Sequence, residues 1–210
     1  MELEIENQAR GTRILIGETA RGRRALIDGM IGIAEDINFE EIVLPSLEPA
    51  KVYTDKAGSE ILGQMYVFPD KKGRELCLRP EGTATVQLLA DKYWRQQEKK
   101  LWYVERCFRY ERKQLGRWRE FTQFGVEWIN PKGDAKAILM DMAERMVKLA
   151  GVPYDVNPSV KRGLAYYTDE GFEISIPTLG AQKQVVGAGP YAQGIGFAVG
   201  VDRLLLAKMG

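Results

Sequence analysis

The sequence predicts an α+β fold with a mainly antiparallel β-sheet flanked by helices. Strand-like segments outnumber the helical segments that could serve as βαβ crossovers, and several of them cluster as hairpins. Hydrophobic residues make up 45% and charged residues 28% of the 210 residues, a mixture typical of a globular domain. Because this length suits one sizeable domain, we expect residues 1–210 to form a single domain.

Four segments have the apolar spacing of helices, at residues 18–37, 81–92, 134–150 and 201–209. The third is the most regular, because Asp134 can cap its N-terminus and Gly151 can end it. Its predicted apolar stripe consists of Ile138, Met142, Met146 and Leu149.

The predicted strands carry apolar runs or alternate apolar and polar residues. Asp70, Lys71, Lys72 and Gly73 form a turn signal between two of them, which predicts a hairpin. A polar loop rich in arginine separates two longer strands and predicts a second hairpin. The strands are predicted at residues 40–44, 65–68, 75–78, 101–109, 121–129, 172–176, 184–186 and 194–199.

The composition restricts the chemistry. The chain has no histidine, so any reaction must use carboxylates, arginines, backbone dipoles or magnesium. Cys77 and Cys107 lie in apolar, strand-like contexts, which indicates buried thiols in a reducing compartment. The acidic N-terminus is not a signal peptide, and no apolar run is long enough to span a membrane. We therefore expect a cytoplasmic protein, and the net charge of +1 neither requires nor excludes contact with RNA.

The second hairpin concentrates groups that can bind a nucleotide. Four arginines converge on it, and a guanidinium group holds phosphate oxygens in a bidentate fork. Phe121 offers a ring face, while Gln123 and Glu127 point to the same side of their strand. From charge alone, a solvated basic hairpin is an equally simple interpretation. The arginines are Arg109, Arg112, Arg117 and Arg119.

Three further clusters are weak when taken singly. Glu81 and Thr83 lie where a strand meets a helix, which also suits a simple helix cap. Residues 161–167 include two adjacent tyrosines, which are commonly divided between core and surface. Residues 187–203 form a glycine-rich strand followed by Arg203, where a ligand could approach the backbone closely.

The order of these clusters resembles the histidyl-tRNA synthetases, a class II aminoacyl-tRNA synthetase family. Residues 39–45, 109–127 and 196–203 resemble class II motifs 1, 2 and 3. Residues 78–83 and 162–167 resemble two histidyl-type signatures around the amino-acid pocket. The resemblance runs from about residue 10 to the last residues, and it implies a class II synthetase-type antiparallel sheet.

The resemblance also implies a function, which is activation of histidine by ATP with transfer to the acceptor end of tRNA. Mg²⁺ would accompany the ATP phosphates, no metal would be held by protein ligands, and a homodimer would form through motif 1 without any membrane contact. Catalytic roles would fall to Arg109, Arg162 and Arg203, and ATP binding to Arg109, Glu111, Arg117, Phe121 and Arg203. Amino-acid binding would fall to Glu81, Thr83, Gln123, Glu127, Tyr167 and Tyr191, with Glu127 and Tyr167 at the imidazole nitrogens.

The chain departs from the family pattern in several places. Only residues 152–160 stand where an inserted domain is usual, and the chain ends at Gly210, just past motif 3. We therefore do not expect this chain alone to select tRNA by its anticodon. Four substitutions predict an altered back wall of the pocket, with Ala165 for Asp, Pro190 for Arg, Ala192 for Asp and Thr122 for His.

Two alternatives follow from these departures. One is a histidine sensor like the regulatory subunit of ATP phosphoribosyltransferase, and the other is a paralogue that charges an acceptor other than tRNA. A sensor is expected to lose nucleotide-binding residues. Retention of Arg109, Glu111, Phe121 and Arg203 therefore favours the enzyme.

Overall fold

The computed structural model describes residues 2–3, 5–56, 58–112, 114–161 and 163–210. In chain order its strands are β1 (Glu2–Leu3), β2 (Ile14–Leu15), β3 (Glu40–Glu41), β4 (Leu47–Pro49), β5 (Tyr66–Pro69), β6 (Glu75–Leu78), β7 (Lys99–Phe108), β8 (Glu120–Ile129), β9 (Asp155–Val160), β10 (Gly171–Ser175), β11 (Gln184–Tyr191) and β12 (Gly194–Gly200). The helices are α1 (Gly17–Glu35), α2 (Lys51–Lys56), α3 (Ser59–Leu62), α4 (Thr83–Tyr93), α5 (Ala135–Lys148) and α6 (Val201–Met209), with a 3₁₀ turn at Pro177–Leu179.

A seven-stranded sheet in the order β3-β7-β8-β12-β11-β10-β9 forms the centre of the fold. Its neighbouring strands are antiparallel, apart from the short parallel pair β3 and β7. A three-stranded sheet β4-β6-β5 and a two-stranded pair β1-β2 accompany it. The predicted fold class, a mainly antiparallel sheet flanked by helices, is therefore confirmed.

The two faces of the large sheet are covered differently. Trp102 on β7, with Phe124 and Val126 on β8, points into the main core, to which α1, α5 and α6 contribute. The alternate residue Tyr103 points to the opposite face and packs with Val86 of α4 in a smaller cluster. Because this second face is only partly covered, it leaves room for a cleft.

Helix α5 shows how the sequence sets its own boundaries. The Asp134 side chain accepts a hydrogen bond from the Ala137 N–H at 3.1 Å, and Gly151 after the helix has a φ of +72°. Both predicted end signals are confirmed. The predicted stripe is wrong at Ile138, which is 44% exposed, because the face that meets the core is centred on Leu139, which is 0% exposed.

Replacement of Leu139 by alanine should cost about 2–5 kcal/mol of unfolding free energy, since it removes buried methyl groups and leaves a cavity in the main core. Ile138→Ala is the matched control, because the neighbouring side chain is largely exposed. Urea unfolding of the two variants measures the difference. A loss in Leu139→Ala no larger than that in Ile138→Ala would contradict the orientation of α5.

Several elements differ from the sequence predictions. The strand predicted at residues 40–44 narrows to β3, and the one predicted at residues 184–186 extends to Tyr191 because its glycine-rich half pairs with β12. Strands β4 and β9 and helices α2 and α3 were not predicted. Strand β9 contains Pro158 and lies at the sheet edge, where a missing N–H is tolerated.

Two compositional expectations can be compared with the structure. Cys77 and Cys107 are free and buried, as predicted. Within the described ranges, no helix combines the length and apolar character needed to cross a membrane.

Candidate active site

A cleft of about 370 Å³ opens on the partly covered face of the large sheet. We call it the central cleft. The start of α4, the β7–β8 hairpin, the segment before β10 and the junction of β12 with α6 all contribute to it. It brings together nine of the binding and catalytic residues that were predicted from the sequence. Arg162, also predicted, lies outside the described residues. The nine are Glu81, Thr83, Arg109, Glu111, Arg117, Phe121, Gln123, Tyr167 and Arg203.

Arg109 follows β7 and lines the cleft, where its charge acts on both Glu81 and Arg203. Its Nε donates a hydrogen bond to the Pro80 carbonyl at 2.9 Å, and its guanidinium carbon lies 5.3 Å from the centre of the Phe121 ring. The terminal nitrogens of Arg109 make no hydrogen bond within the described part of the chain. The side chain is thus held at one point and retains donors for an anionic ligand.

The hairpin end and α6 form a charged network at one side of the cleft. Glu111 and Arg117 form an ion pair at 3.1 Å, without hydrogen-bond geometry. Arg203 donates from Nε to the Gly116 carbonyl at 2.7 Å and from Nη1 to the Gln184 carbonyl at 2.9 Å. Burial lowers the pKa of Arg203, while the nearby Glu111 charge opposes that shift. The loop end and the start of α6 are therefore fixed to each other.

Glu81 lies at the other side of the cleft, where it caps α4. Its carboxyl accepts hydrogen bonds from the backbone N–H groups of Thr83 and Ala84, at 2.5 and 3.1 Å. Burial raises the pKa of Glu81, while these bonds and the Arg109 charge act in the opposite direction. The helix cap considered from the sequence exists, and the same carboxyl also lines the central cleft.

Glu127 lies directly beneath this side of the cleft and is fully buried. Its carboxyl accepts hydrogen bonds from the Thr83 hydroxyl at 2.6 Å, the Tyr191 hydroxyl at 2.7 Å and the Tyr103 hydroxyl at 3.4 Å. Burial raises the pKa of Glu127 to about 8, although the hydroxyl donors oppose the shift. A Cβ at Gly196 would lie 2.0 Å from the carboxyl, so glycine is required there. Glu127 thus contacts the lining through Thr83, and Tyr191 contacts it through Tyr166 and Tyr167, while neither lines the cleft itself.

Sequence reasoning did not single out every aromatic side chain of the site. Tyr166 lines the cleft, lies 4.6 Å from the ring centre of Tyr167 and donates to Glu81 at 3.5 Å. Tyr103 reaches Glu127 because it pairs across the strands with Gly125, whose missing side chain leaves space for the ring. The pairing of a large aromatic residue with a glycine is the signal that could have identified Tyr103.

Three of the four departures from the family pattern lie away from the cleft lining. Ala165 and Ala192 are exposed, and the Pro190 carbonyl accepts a hydrogen bond from the Thr168 N–H at 2.9 Å. Thr122 does line the cleft, and its hydroxyl accepts a hydrogen bond from Arg23 at 2.7 Å.

The antiparallel sheet and the cleft on its partly covered face define a class II aminoacyl-tRNA synthetase catalytic fold. The sequence profile described as histidyl-tRNA synthetase matches residues 11–153, more than half of the chain. The chain belongs to the histidyl-tRNA synthetase family.

A curated relative shows how the chain aligns within this family. The histidine–tRNA ligase of Methanospirillum hungatei is 28% identical over 303 aligned residues, which cover 94% of this chain and 74% of the relative. The alignment is longer than this chain, so the relative contains segments with no counterpart here.

Two solved structures share the fold. Apo Staphylococcus aureus histidyl-tRNA synthetase superposes with a TM-score of 0.78 and 25% identity, covering 97% of this chain and 70% of that one. A Bacillus halodurans protein described as an ATP phosphoribosyltransferase regulatory subunit/histidyl-tRNA synthetase has a TM-score of 0.79 and 17% identity, covering 99% and 85%. At 17% identity the second likeness shows the fold alone.

Proposed function

We propose that this chain activates histidine with ATP to form an aminoacyl-adenylate, with transfer to the acceptor end of tRNA. The main support is that one cleft contains both a cationic half, with Arg109 and Arg203, and an acidic and phenolic half, with Glu81 and Tyr167. A nucleotide and an amino acid need opposite kinds of partner, and here both kinds lie within one cavity.

In the cationic half, Arg109 would bind the α-phosphate and the amino-acid carboxylate. Glu111 would accept from the adenine amino group, Phe121 and Arg203 would enclose the ring, and Arg117 would lie beside the β- and γ-phosphates. Mg²⁺ would enter with ATP as part of the substrate. The carboxylate is already ionised and attacks the α-phosphorus as pyrophosphate leaves, so positioning and cationic charge suffice and no general base is needed. Arg162 remains part of this proposal through the family resemblance only.

In the acidic half, Glu81, Thr83 and Gln123 would hold the α-ammonium group. Tyr167 would bond one imidazole nitrogen and Glu127 the other, with Tyr191 closing the pocket. Glu127 accepts hydrogen bonds from the Thr83 and Tyr191 hydroxyls, and an imidazole N–H would take the place of one of them. Binding of a positively charged ligand would in turn favour the ionised forms of Glu81 and Glu127.

We also propose that residues 1–210 act as a single catalytic domain in the cytoplasm and form a homodimer through motif 1. Val43 of that motif is 79% exposed and Leu47 just beyond it is 49% exposed, as expected for apolar side chains that a second copy would cover. Phe39 is only 3% exposed and packs in the main core. It would therefore hold the motif 1 backbone in place and would not contact the second copy itself.

The deciding measurement is amino-acid-dependent ATP–pyrophosphate exchange with each of the standard amino acids. We expect exchange with histidine to exceed that with any other amino acid, because the acidic half would form hydrogen bonds with both imidazole nitrogens. Charging of tRNA is measured separately. If the protein binds histidine but catalyses no exchange, the proposal is wrong and a histidine sensor is favoured. If exchange occurs without charging of tRNA, the acceptor is not tRNA.

A further inference from the structure

A second cavity, of about 470 Å³, lies between the β7–β8 hairpin and α1. It adjoins the central cleft, because Phe121, Thr122 and Asp202 line both cavities. The Thr122 hydroxyl accepts a hydrogen bond from Arg23 of α1 at 2.7 Å. The cavity is lined by five arginines, and we call it the arginine pocket. They are Arg13, Arg21, Arg23, Arg24 and Arg106.

Two acidic residues of the pocket each form an ion pair with one arginine. Glu120 accepts a hydrogen bond from Arg106 at 2.5 Å. Asp202 accepts from Arg13 with one oxygen and from the Thr122 N–H with the other. These pairs account for two of the five cations, so the two acids of the pocket lining do not balance the charges of the three arginines of α1.

The three α1 arginines lie close together on one side of the pocket. Arg23 donates a hydrogen bond to the neutral Thr122 hydroxyl, at 2.7 Å. Arg21 and Arg24 are exposed and make no ion pair or hydrogen bond with any residue that the structure describes. Burial lowers the pKa of Arg23, and the charges of Arg106, Arg13 and Arg24 lower it further, while Asp202 opposes the shift. Positive charges therefore outnumber negative charges around Arg23.

We propose that the arginine pocket is a second anion site, beside the central cleft, that binds phosphate groups through arginines that do not line that cleft. Guanidinium groups match phosphate oxygens with paired hydrogen bonds, and three of them together suit a ligand with more than one negative charge. A single carboxylate would neutralise only one of the three. The phosphate could belong to a small free anion such as pyrophosphate or to the backbone of RNA.

The test compares two double variants with the same change in charge. Arg21→Glu with Arg24→Glu alters the pocket, and Lys71→Glu with Lys72→Glu alters the exposed β5–β6 turn as the matched control. Inorganic pyrophosphate is titrated by calorimetry, also in an Arg203→Ala background that weakens binding in the central cleft. A short RNA hairpin with a single-stranded 3′ end is titrated by fluorescence anisotropy at several salt concentrations.

We expect the pocket variant to bind at least one of the two ligands about tenfold more weakly than the control does, because two phosphate contacts are lost. If the ligand is RNA, the slope of log K against log salt should also decrease by about 2. Weakening for pyrophosphate alone identifies a free anion, and weakening for RNA alone identifies its backbone. Equal binding by both double variants overturns the proposal.

Sedimentation of the same proteins measures whether the substitutions change the oligomeric state. If the pocket variant changes its oligomeric state while both ligands bind as in the control, acidic side chains of a second copy occupy the pocket and the phosphate site is wrong. Exchange activity of the pocket variant should stay at the level of the control, because none of the α1 arginines lines the central cleft. Failure of the adenylation proposal would therefore leave this test intact.

Discussion

Replacement of Arg109 by alanine should reduce histidine-dependent ATP–pyrophosphate exchange by about 10²–10³-fold, the loss typical when one donor to a developing negative charge is removed. Arg109 lies between the two halves of the central cleft, with Nε fixed to Pro80 and its terminal nitrogens without a partner among the described residues. In the proposed reaction it contacts both the attacking carboxylate and the phosphorus centre. Initial exchange rates at saturating ATP measure the effect.

Two further variants make this result specific. Arg112→Ala removes an arginine that is three positions away, exposed and outside the cleft lining, so exchange should stay near its original rate. Arg109→Lys keeps the charge but loses the planar fork, and we expect an intermediate rate. Exchange in Arg109→Ala equal to that in Arg112→Ala would show that the cleft has been assigned the wrong reaction.

The parts of the fold that the sequence predicted well are those whose signal is local. The β7–β8 hairpin alternates clearly because one face meets the core and the other meets the cleft, and α5 has both of its end signals. Strands β4 and β9 were not predicted because they are short or polar. Their backbone is fixed by pairing with distant partners, β6 and β10, rather than by their own side chains.

The residues of the cleft were predicted for a different reason. Glu81 and Arg203 are 122 positions apart, and nothing local places them together. Their common cavity was expected only because the order of motifs resembles a known family. Tyr103 was not singled out, and Tyr166 was noted only as one of two adjacent tyrosines. Their contacts depend on Gly125 across the strand pair and on Glu81 from another element. The arginine pocket was likewise not predicted, since helical spacing alone cannot show that α1 faces Arg106.

Replacement of Glu127 by glutamine should make the protein more stable at pH 8 while leaving its stability near pH 4.5 little changed. The folded chain holds a proton on Glu127 up to a pKa of about 8, whereas the ordinary value is 4.5. Between these values unfolding releases that proton, so rising pH favours the unfolded state. Glu127 then lowers the unfolding free energy by about 1.4 kcal/mol per pH unit, and the slope ends near pH 8. Glutamine is neutral and nearly isosteric, so it removes this contribution. Its amide oxygen can accept from one of the Thr83 and Tyr191 hydroxyls, and its amide nitrogen can donate to the oxygen of the other.

Urea unfolding at intervals from pH 4.5 to 9 measures the difference between the variant and the original chain. Glu81 and Glu48 also have raised pKa values because of burial, but they are present in both proteins, so the difference isolates Glu127. Glu41→Gln, which removes an exposed carboxyl, should keep the pH slope of the original chain. Parallel curves for Glu127→Gln and the original chain would mean that the hydroxyl donors keep Glu127 ionised despite its burial. In that case the pocket would present a fixed negative charge to the amino acid, and the pH dependence of histidine binding would have to arise from the ligand itself.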